Sequence, residues 1–370
     1  MPVSRRDFAK IGALGLAARW SPEAFAQPTA PTPRRIGYAV IGLGRIATHF
    51  LEGAAASTQS RITALVSGHR DKAERIAAQY KVPPTSIYNY EDFDRIAANP
   101  AVDAVYVALP NSMHAEYTIR AAEAGKHVLC EKPMANTVAE CEAMIAACKK
   151  ADRLLMIAYR CQLESTTLHA KKIIQSGALG KIQAIESCNG FNISPGEWRL
   201  NRKLAGGGPL MDVGIYSLNG IRFLTGEEPT ELSAYTSVVD HDGRFNEVEE
   251  NVGWTMKFPS GAVASCTTTY GANMQAYVRV HGSKGWLTLD GFGYSNIRVT
   301  AHINGKSHGD PGESIDDLEK GEDPAQFVVE SDYFSKCILD KTVPGPSGEE
   351  GLRDIALMMK IYATAARNNT

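Results

Sequence analysis

Between residues 36 and 56 the sequence reads IGYAVIGLGRIATHFLEGAAA, a short apolar run followed by a glycine turn and a helical pattern. The turn runs from Gly42 to Ala47 and has the G-x-G-x-x-A spacing of dinucleotide-binding sites. Gly42 permits a tight turn, Gly44 lets the backbone approach a pyrophosphate, and small Ala47 lets the helix pack on the strand. The N–H groups at the start of the helix then face the phosphates. A purely structural glycine turn is the alternative that the triplet alone leaves open.

The alternation continues along the first half of the chain. Strand-like runs, ITALVSG, AVYVALP, HVLCEKP and LLMIAY, alternate with helical patterns, DKAERIAAQY, EDFDRIAAN, SMHAEYTIRAAEAG and VAECEAMIAACKK. This order predicts an α/β Rossmann domain, a doubly wound parallel sheet over residues 35–159. Ligands bind such sheets at the carboxyl ends of the strands. The cofactor contacts expected in these loops are Gly42, Leu43, Gly44, Arg45, Ile46, Leu109, Pro110, Asn111, His114, Glu131 and Lys132.

The tip of the second strand reads SGHRDK, where an NAD site would place a carboxylate on the ribose 2′-hydroxyl. Ser67, Arg70 and Lys72 instead supply a hydroxyl and two cations, which suit a 2′-phosphate. We therefore expect NADP to bind here, in contact with these three residues and Gly68. The alternative is that Arg70 and Lys72 are solvated residues at the start of the next helix.

The pattern changes beyond residue 160. HAKKIIQSGALGKIQAIESCNG predicts a helix and a strand, and AVASCTTTYG, QAYVRVHGS and GWLTLDG read as alternating strands bounded by glycines. These features predict an α+β domain over residues 160–370 with an open, mainly antiparallel sheet. FVVESDYFSKCILD and GLRDIALMMKIYATAARN are amphipathic helices, and we expect the last to return to the first domain.

Three residues have the character of a proton-transfer site. Lys132 follows a predicted strand, and Pro133 fixes the chain after it, so the ammonium can point toward a nicotinamide. In DVGIYSLNG, Asp212 and Tyr216 are four residues apart, and a helix would place them on one face. The structural alternatives are a surface lysine, a capping Asp and a core Tyr.

Several motifs carry a resemblance to a known family. GLGRIA, PNSMHAEYTIRAAEAG, AGKHVLCEKP and AGGGPLMDVGIYSLNG resemble the glucose-fructose oxidoreductase and inositol dehydrogenase family. ALVSG, LLMIAYRC, EWRLNRKLAGGG and PGEEGLRDIALM are similar to its glucose-fructose oxidoreductase branch. The resemblance runs from about Arg35 to near the C-terminus. It implies the fold predicted above, with one face of the C-terminal sheet covering the active site and the other forming a subunit interface.

The resemblance also implies roles for individual residues. In the family, the Lys of the EKP motif and the Asp and His of a D-x-x-x-H motif surround the oxidised hydroxyl. This chain has Tyr216 in place of that His, as in the glucose-fructose oxidoreductase branch. Tyr216 would be the acid/base on the anomeric hydroxyl, with Lys132 stabilising the phenolate because free tyrosine ionises only near pH ~10. Asp212 would accept a hydrogen bond from the sugar. Further expected contacts are Tyr159 and Arg160 with the substrate, and Arg160, Trp198 and Arg199 with the cofactor, interdomain packing being their alternative.

The N-terminal stretch VSRRDFAKIGALGLAARWSPEAFAQ has the layout of a signal peptide. Its paired Arg5 and Arg6 resemble the twin-arginine export signal, which moves folded proteins across the membrane. We expect the signal to span residues 1–26, a Pro-rich linker to span 27–34, and the mature protein to reach the periplasm; an amphipathic helix is the alternative. Seven scattered cysteines without disulfide or zinc spacing agree with folding before export, and no metal is expected.

The remaining expectations concern partners and reaction. A net charge of −2 gives no sign of nucleic acid, and no mature apolar run reaches the ~20 residues of a membrane span. Because QPTAPTP is shorter than the arm of glucose-fructose oxidoreductase, we expect a homodimer through the C-terminal sheet. An exported enzyme must keep its NADP, so one sugar would reduce the cofactor and a second would reoxidise it. A conventional NADP-dependent aldose dehydrogenase and a non-catalytic sugar sensor remain alternatives.

Overall fold

The structure is a computed structural model that describes residues 34–293, 296–306, 312–318 and 323–368. The expected signal peptide and nearly all of the expected linker lie outside the described residues.

The first sheet has six parallel strands in the order β3-β2-β1-β4-β5-β6. Every residue of β1 and β4 is buried, as expected for a sheet covered on both faces. The strand order reverses between β1 and β4, which places the ligand crevice at their carboxyl ends. The strands are β1 (Ile36–Ile41), β2 (Ser60–Val66), β3 (Ile87–Tyr88), β4 (Ala104–Val107), β5 (His127–Cys130) and β6 (Leu155–Ile157).

Four helices accompany this sheet: α1 (Arg45–Ala56), α2 (Arg70–Tyr80), α3 (His114–Glu123) and α4 (Val138–Lys150). A capping box of Thr137 and Glu140 begins α4. The helix predicted for EDFDRIAAN is instead a 3-10 segment, Phe93–Ala98. Asn89 and Asp92 side chains bind backbone N–H groups in a turn before it, and Pro100 follows it, so too few residues remain for an α-helix.

The second sheet has eight strands in the order β14-β13-β12-β11-β7-β10-β9-β8. All neighbours are antiparallel except β7 and β10, which are parallel. Strand β7 therefore separates β10 from β11, although these two follow each other in the sequence. The strands are β7 (Ile182–Gly190), β8 (Glu231–Ser237), β9 (Asn251–Lys257), β10 (Val263–Thr269), β11 (Tyr277–Gly282), β12 (Gly285–Asp290), β13 (Arg298–Ile303) and β14 (Glu313–Leu318).

Helices α5 (Ser165–Gln175) and α7 (Ile215–Thr225) lie on the inner face of this sheet. A short α6 (Arg202–Ala205) and a π-helical turn (Leu210–Gly214) precede α7. The predicted α/β domain followed by an α+β domain with a mainly antiparallel sheet is confirmed.

The last two helices pack back toward the parallel sheet. Helix α8 (Asp323–Asp340) lies on α1, where Phe327 fits against Gly53, and the Tyr38 hydroxyl of β1 donates to the carbonyl oxygen of Ser331. Helix α9 (Gly348–Asn368) contacts α4 and also β8 of the second sheet. Helix α9 therefore connects the two sheets.

All seven cysteines are buried and unpaired. In the described ranges, no group of His, Cys, Asp and Glu side chains has the arrangement of a metal site. None of the described helices combines the length and the apolar character needed to cross a bilayer.

Candidate active site

A cleft of about 1050 Å³ lies at the carboxyl ends of β1, β2, β4 and β5, with residues of the second sheet and its loops on the opposite side. Most of the residues predicted from the sequence line it. These are Gly42, Leu43, Gly44, Arg45, Ile46, Ser67, Lys72, Leu109, Pro110, Asn111, His114, Glu131, Lys132, Arg160, Trp198, Arg199, Asp212 and Tyr216.

The glycine turn meets the requirements of a phosphate site. Gly42 has a φ of +82°, and a Cβ there would lie 2.4 Å from the carbonyl oxygen of Ala108. A Cβ on Gly44, by contrast, would meet nothing within 4 Å. No side chain caps the N-terminus of α1. The N–H groups that begin this helix are therefore available to an anion, and a dinucleotide pyrophosphate fits the turn.

Of the four residues predicted to hold a 2′-phosphate at the tip of β2, two line the cleft and two do not. Ser67 and Lys72 line the cleft, joined by His69 and Tyr90, which sequence reasoning did not single out. Arg70 is not among the lining residues: its Nε lies 2.8 Å from a carboxylate oxygen of Glu74, and Nη1 donates to the carbonyl oxygen of Ile87. Gly68 lies beside the Tyr90 ring, also outside the lining. The hydroxyl and one of the two expected cations thus remain at the cleft.

Two loops of the parallel sheet meet through His114, whose side chain is 1% exposed. Its ring nitrogens each lie 2.9 Å from a carbonyl oxygen, Nε2 from that of Leu109 and Nδ1 from that of Pro133. Burial lowers the pKa of His114, although both carbonyl contacts oppose the change. Asn111 donates from Nδ2 to the carbonyl oxygen of Ala205, which ties the same region to α6.

The predicted catalytic residues meet at the floor of the cleft. Lys132 donates from Nζ to the main-chain carbonyl oxygen of Asp212 at 2.6 Å and lies 3.4 Å from its carboxylate. The other carboxylate oxygen of Asp212 accepts a 2.8 Å hydrogen bond from the Tyr270 hydroxyl and lies 2.9 Å from Arg199 Nε. Asp212 belongs to the π-helical turn, a feature often found at functional sites.

In this arrangement Lys132 and Asp212 both remain charged. Burial alone would raise the pKa of Asp212, but Lys132 and Arg199 hold it below its ordinary value. Burial alone would lower the pKa of Lys132, but Tyr216 and Asp212 raise it overall. An ammonium and a carboxylate are therefore present together at neutral pH.

Tyr216 is positioned by two cations. Lys132 Nζ lies 4.5 Å from the centroid of its ring, whereas Arg160 Nη1 donates a 3.0 Å hydrogen bond to its hydroxyl. Lys132, the cation expected near Tyr216, therefore lies beside its ring, and the hydrogen bond to the phenol oxygen comes from Arg160.

Tyr159, an expected substrate contact, is 4% exposed and does not line the cleft. Burial raises its pKa, as does nearby Asp354, so its phenol lies beside α9 rather than in the cleft. Arg160, the next residue, points into the cleft.

A line of alternating charges crosses the cleft. Arg45, at the start of α1, lies 3.2 Å from Glu197, and Glu197 lies 3.7 Å from Arg199, which pairs with Asp212. Glu197 precedes a 3-10 turn, Trp198–Leu200, in the segment that connects β7 to α6. This segment therefore covers the cleft between the glycine turn and the catalytic residues.

Sequence reasoning missed one end of the cleft. Its lining there comes from the turn after β7 and from the loop between β10 and β11, with Phe191, Asn192, Ile193, Ser194, Asn273 and Met274. These residues follow β7 and β10, a parallel pair in a mainly antiparallel sheet, and the order of the sequence does not indicate which strand ends point toward the ligand. Tyr270 lies near the end of the predicted strand AVASCTTTYG and directly after β10 in the structure, and its position at a strand end was the available signal.

Comparisons with known proteins agree with this geometry. Residues 36–159 match the model of an oxidoreductase family with an NAD-binding Rossmann fold, and residues 167–288 match the GFO/IDH/MocA C-terminal domain. A D-xylose 1-dehydrogenase [NADP(+)] from Haloarcula marismortui is 31% identical over 353 residues, 93% of this chain and 95% of that protein. A myo-inositol 2-dehydrogenase from Thermotoga maritima is 30% identical, over 86% of this chain and 92% of that protein.

Among solved structures, an aldose-aldose oxidoreductase from Caulobacter crescentus complexed with glycerol matches with a TM-score of 0.85 and 46% identity. The match covers 90% of this chain and 98% of that one.

Proposed function

Because the chain belongs to the GFO/IDH/MocA family of oxidoreductases, we propose that it is an NADP-dependent enzyme that transfers a hydride from one sugar to another. An aldose such as glucose becomes its aldonolactone, and a second sugar, an aldose or fructose, becomes the alditol. The observation that carries this proposal is the meeting of Lys132, Asp212 and Tyr216 in one cleft with the glycine turn. The likeness to an aldose-aldose oxidoreductase over most of both chains supports the choice of sugars.

The residues act on the anomeric carbon as follows. Tyr216, as phenolate, takes the proton of the anomeric hydroxyl, and Lys132 donates a hydrogen bond to the same oxygen as its charge grows. Asp212, ionised and held by Tyr270, accepts a hydrogen bond from a neighbouring sugar hydroxyl. When bound, NADP supplies the hydride acceptor and donor. In the reductive half-reaction Tyr216 returns the proton to the carbonyl oxygen of the second sugar.

The cofactor is held from both sides of the cleft. Leu43, Arg45 and the N-terminus of α1 would bind the pyrophosphate, and Ser67 with Lys72 the 2′-phosphate, which favours NADP over NAD. Trp198 and Arg199 would cover it from the opposite side. The ion pair of Arg45 with Glu197 crosses the mouth of this site, which supports slow release of the cofactor and ping-pong transfer between sugars.

Export by the twin-arginine route to the periplasm is part of the same proposal. NADP is made in the cytoplasm, so the chain folds around it before crossing the membrane. Seven buried, unpaired cysteines agree with folding in a reducing compartment. Replacement of both Arg5 and Arg6 by Lys would leave the precursor in the cytoplasm, and periplasmic recovery of that variant would contradict the route.

We also propose a homodimer through the outer face of the second sheet. Strand register places Tyr235, Val263 and Trp286 on this face, and their exposed fractions are 61%, 51% and 38%. Val263→Glu with Trp286→Glu would convert the dimer to a monomer in light scattering. An unchanged mass would contradict the interface.

Isotope transfer tests the proposed reaction. Enzyme as purified is mixed with glucose deuterated at C1, with xylose as second sugar and with excess unlabelled free NADPH. If the enzyme retains its cofactor, deuterium appears at C1 of xylitol and is not diluted by the unlabelled free NADPH. Deuterium in the free NADPH pool would instead establish a conventional aldose dehydrogenase, the class to which the name of the haloarchaeal relative assigns that protein. Absence of deuterium from both xylitol and NADPH would contradict the proposed enzymatic activity and favour a sugar-binding protein.

A further inference from the structure

The end of the cleft beyond Tyr270 has no role in the proposed reaction. Its lining comes from the turn after β7 and from the loop between β10 and β11, and it includes two asparagines, Asn192 and Asn273. The ring of Phe191 lies 5.1 Å from that of Tyr270, whose hydroxyl donates to the Asp212 carboxylate. This end therefore adjoins the catalytic cluster at Asp212. It combines an apolar wall with a few polar groups, as small-molecule sites do.

The protein holds both asparagines by their side-chain oxygens. Asn273 Oδ1 accepts a 3.1 Å hydrogen bond from the backbone N–H of Asn192, and Asn192 Oδ1 accepts a 2.7 Å hydrogen bond from Arg244. A carboxamide has one acceptor oxygen and one NH₂ group that donates. Because the two oxygens already have protein donors, the Nδ2 groups are the atoms left to a ligand. These donors suit the oxygens of sugar hydroxyls.

Arg244 is a charged residue built into the wall behind this end. Its side chain is only 9% exposed, although it belongs to the loop between β8 and β9. Its Nη1 donates to Asn192 Oδ1 and to the carbonyl oxygen of Ile193, at 2.7 and 2.8 Å. Asp240 and Asp242 pair with the guanidinium at 2.7 Å each. The loop therefore fixes the arginine, and the arginine fixes the turn that carries Asn192.

The same loop also packs against the catalytic turn. Phe245 is 7% exposed and belongs to one apolar cluster with Ile193, Val213 and Tyr270. Val213 is part of the π-helical turn. The turn after β7 is thus held at a constant position relative to the residues that act at the reacting carbon.

We propose that this end of the cleft binds the part of the sugar most distant from C1, its O4 and O6 hydroxyls, through Asn192 and Asn273. Arg244 is a positioning residue that acts through Asn192. The inference rests on the proposed function, which places C1 at Tyr216 and a neighbouring hydroxyl at Asp212. The remainder of the sugar then extends along the cleft to the two carboxamides.

The consequence is a preference between sugars. A site built to hydrogen-bond a hydroxyl discriminates against an analogue that lacks it. A pentose such as xylose has no C6 hydroxymethyl group, so it leaves one amide donor without an acceptor from the sugar. Arg244 therefore contributes to the choice between hexose and pentose without touching either.

The test combines changes in the protein with changes in the sugar. Wild type, Asn192→Ala and Arg244→Met, each saturated with NADP, are mixed rapidly with glucose, 4-deoxyglucose or 6-deoxyglucose, and cofactor reduction is followed. The half-saturating sugar concentration reports binding, and the limiting rate reports the reaction at C1. Arg120→Met is the matched control, because this partly buried arginine of the other domain also pairs with two acidic residues, Asp94 and Glu116.

We expect Asn192→Ala and Arg244→Met to raise the half-saturating glucose concentration about tenfold, while the limiting rate stays within about twofold. With the deoxy sugar that lacks the contacted hydroxyl, the same substitutions should have less than about a twofold effect, because that hydrogen bond is already absent. Arg244→Lys keeps one cationic donor and should recover part of the loss. Arg120→Met should leave the half-saturating glucose concentration unchanged.

Equal losses with glucose and with both deoxy sugars would overturn the inference, because Asn192 would then not contact these hydroxyls. Weaker NADP binding by Asn192→Ala, with an unchanged dependence on sugar, would also overturn it and assign this end to the cofactor. If Arg244→Met does not fold, Asn192→Ala and Arg244→Lys carry the same comparison. Failure of the wild type to oxidise any sugar would overturn the proposed function itself.

Discussion

Lys132 Nζ donates a 2.6 Å hydrogen bond to the main-chain carbonyl oxygen of Asp212 and lies 3.4 Å from the carboxylate of the same residue. The two residues are brought together from the end of β5 and from the π-helical turn before α7. The ammonium therefore has one N–H group available to a sugar oxygen while the other contacts fix its position.

Lys132→Met should lower kcat by at least about 100-fold, because the charge that stabilises the developing alkoxide is lost. Asp212 keeps Arg199 and Tyr270 as partners, so the variant should fold and bind its cofactor. The matched control is Lys126→Met, a lysine of the same domain, 7% exposed, that donates to the carbonyl oxygen of Asn99. Steady-state kinetics that show equal loss in both variants would contradict the assigned role.

Substitutions of the two tyrosines near Asp212 distinguish a role in proton transfer from a role in positioning. Tyr216→Phe removes the proposed acid/base and should cost about 100- to 10,000-fold in kcat. Tyr270→Phe removes one hydrogen bond to Asp212 and should cost about tenfold or less. The reverse order in rapid-mixing kinetics would assign the proton transfer to Tyr270.

Substitutions of two glycines in the same turn should affect different properties, stability in one case and cofactor binding in the other. Gly42→Ala forces a side chain onto a φ of +82° and against Ala108, so it should lower the free energy of unfolding by about 1–3 kcal/mol. Gly44→Ala enters open space, so stability should be retained while the cofactor binds at least about tenfold more weakly. Urea unfolding and cofactor titration of both variants separate the two effects; unchanged cofactor affinity in Gly44→Ala would contradict the phosphate site.

Glu197→Gln tests the ion pair across the cleft. Loss of the contact with Arg45 should speed both entry and exit of NADP, by up to about fivefold because the arginine is exposed. High salt should bring the wild type toward the variant. Glu142→Gln, on the exposed surface of α4, is the control. Slower release of NADP from the Glu197→Gln variant would mean that the Glu197 carboxylate repels the cofactor phosphates rather than covering them.

Arg222 connects the helix of Tyr216 to α9. Its guanidinium is 2% exposed and pairs with Glu350 and Asp354, both on α9. Arg222→Leu would leave the buried Asp354 without its cation, while Glu350 keeps Arg353, and should destabilise the fold by about 3–5 kcal/mol. Arg353→Leu, which removes a half-exposed partner of the same Glu350, should cost about 1 kcal/mol or less. Similar midpoints of urea unfolding for the two variants would contradict this assignment.

The fold was predictable where local pattern decides it. β1 and β4 are buried throughout and read as apolar runs, and α4 was predicted to its boundaries from its helical pattern. The helix predicted for EDFDRIAAN was wrong. Turn hydrogen bonds before this segment and Pro100 after it leave room only for the 3-10 segment Phe93–Ala98. The π-helical turn gives no separate periodic signal over its five residues.

Many residues of the cleft were predictable, but their contacts and one end of the cleft were not. The four-residue spacing of Asp212 and Tyr216 and the family resemblance indicated the right cluster. Arg70 lies outside the cleft lining, and Glu74, which follows it at the spacing of a helical ion pair, was the available signal for its contact. The pairs Arg160–Gln326 and Arg45–Glu197 are separated by more than 150 positions in the chain, and only the packing of α8 and of the segment over the cleft brings them together.

The central claim is that the enzyme keeps its NADP and passes a hydride between sugars. The most direct measurement is the near-ultraviolet absorbance of purified protein with no cofactor added, recorded before glucose, after glucose and after xylose. The account predicts reduced-nicotinamide absorbance that appears with glucose in proportion to the protein and disappears with xylose. Absorbance that appears only when free NADP is supplied would contradict it.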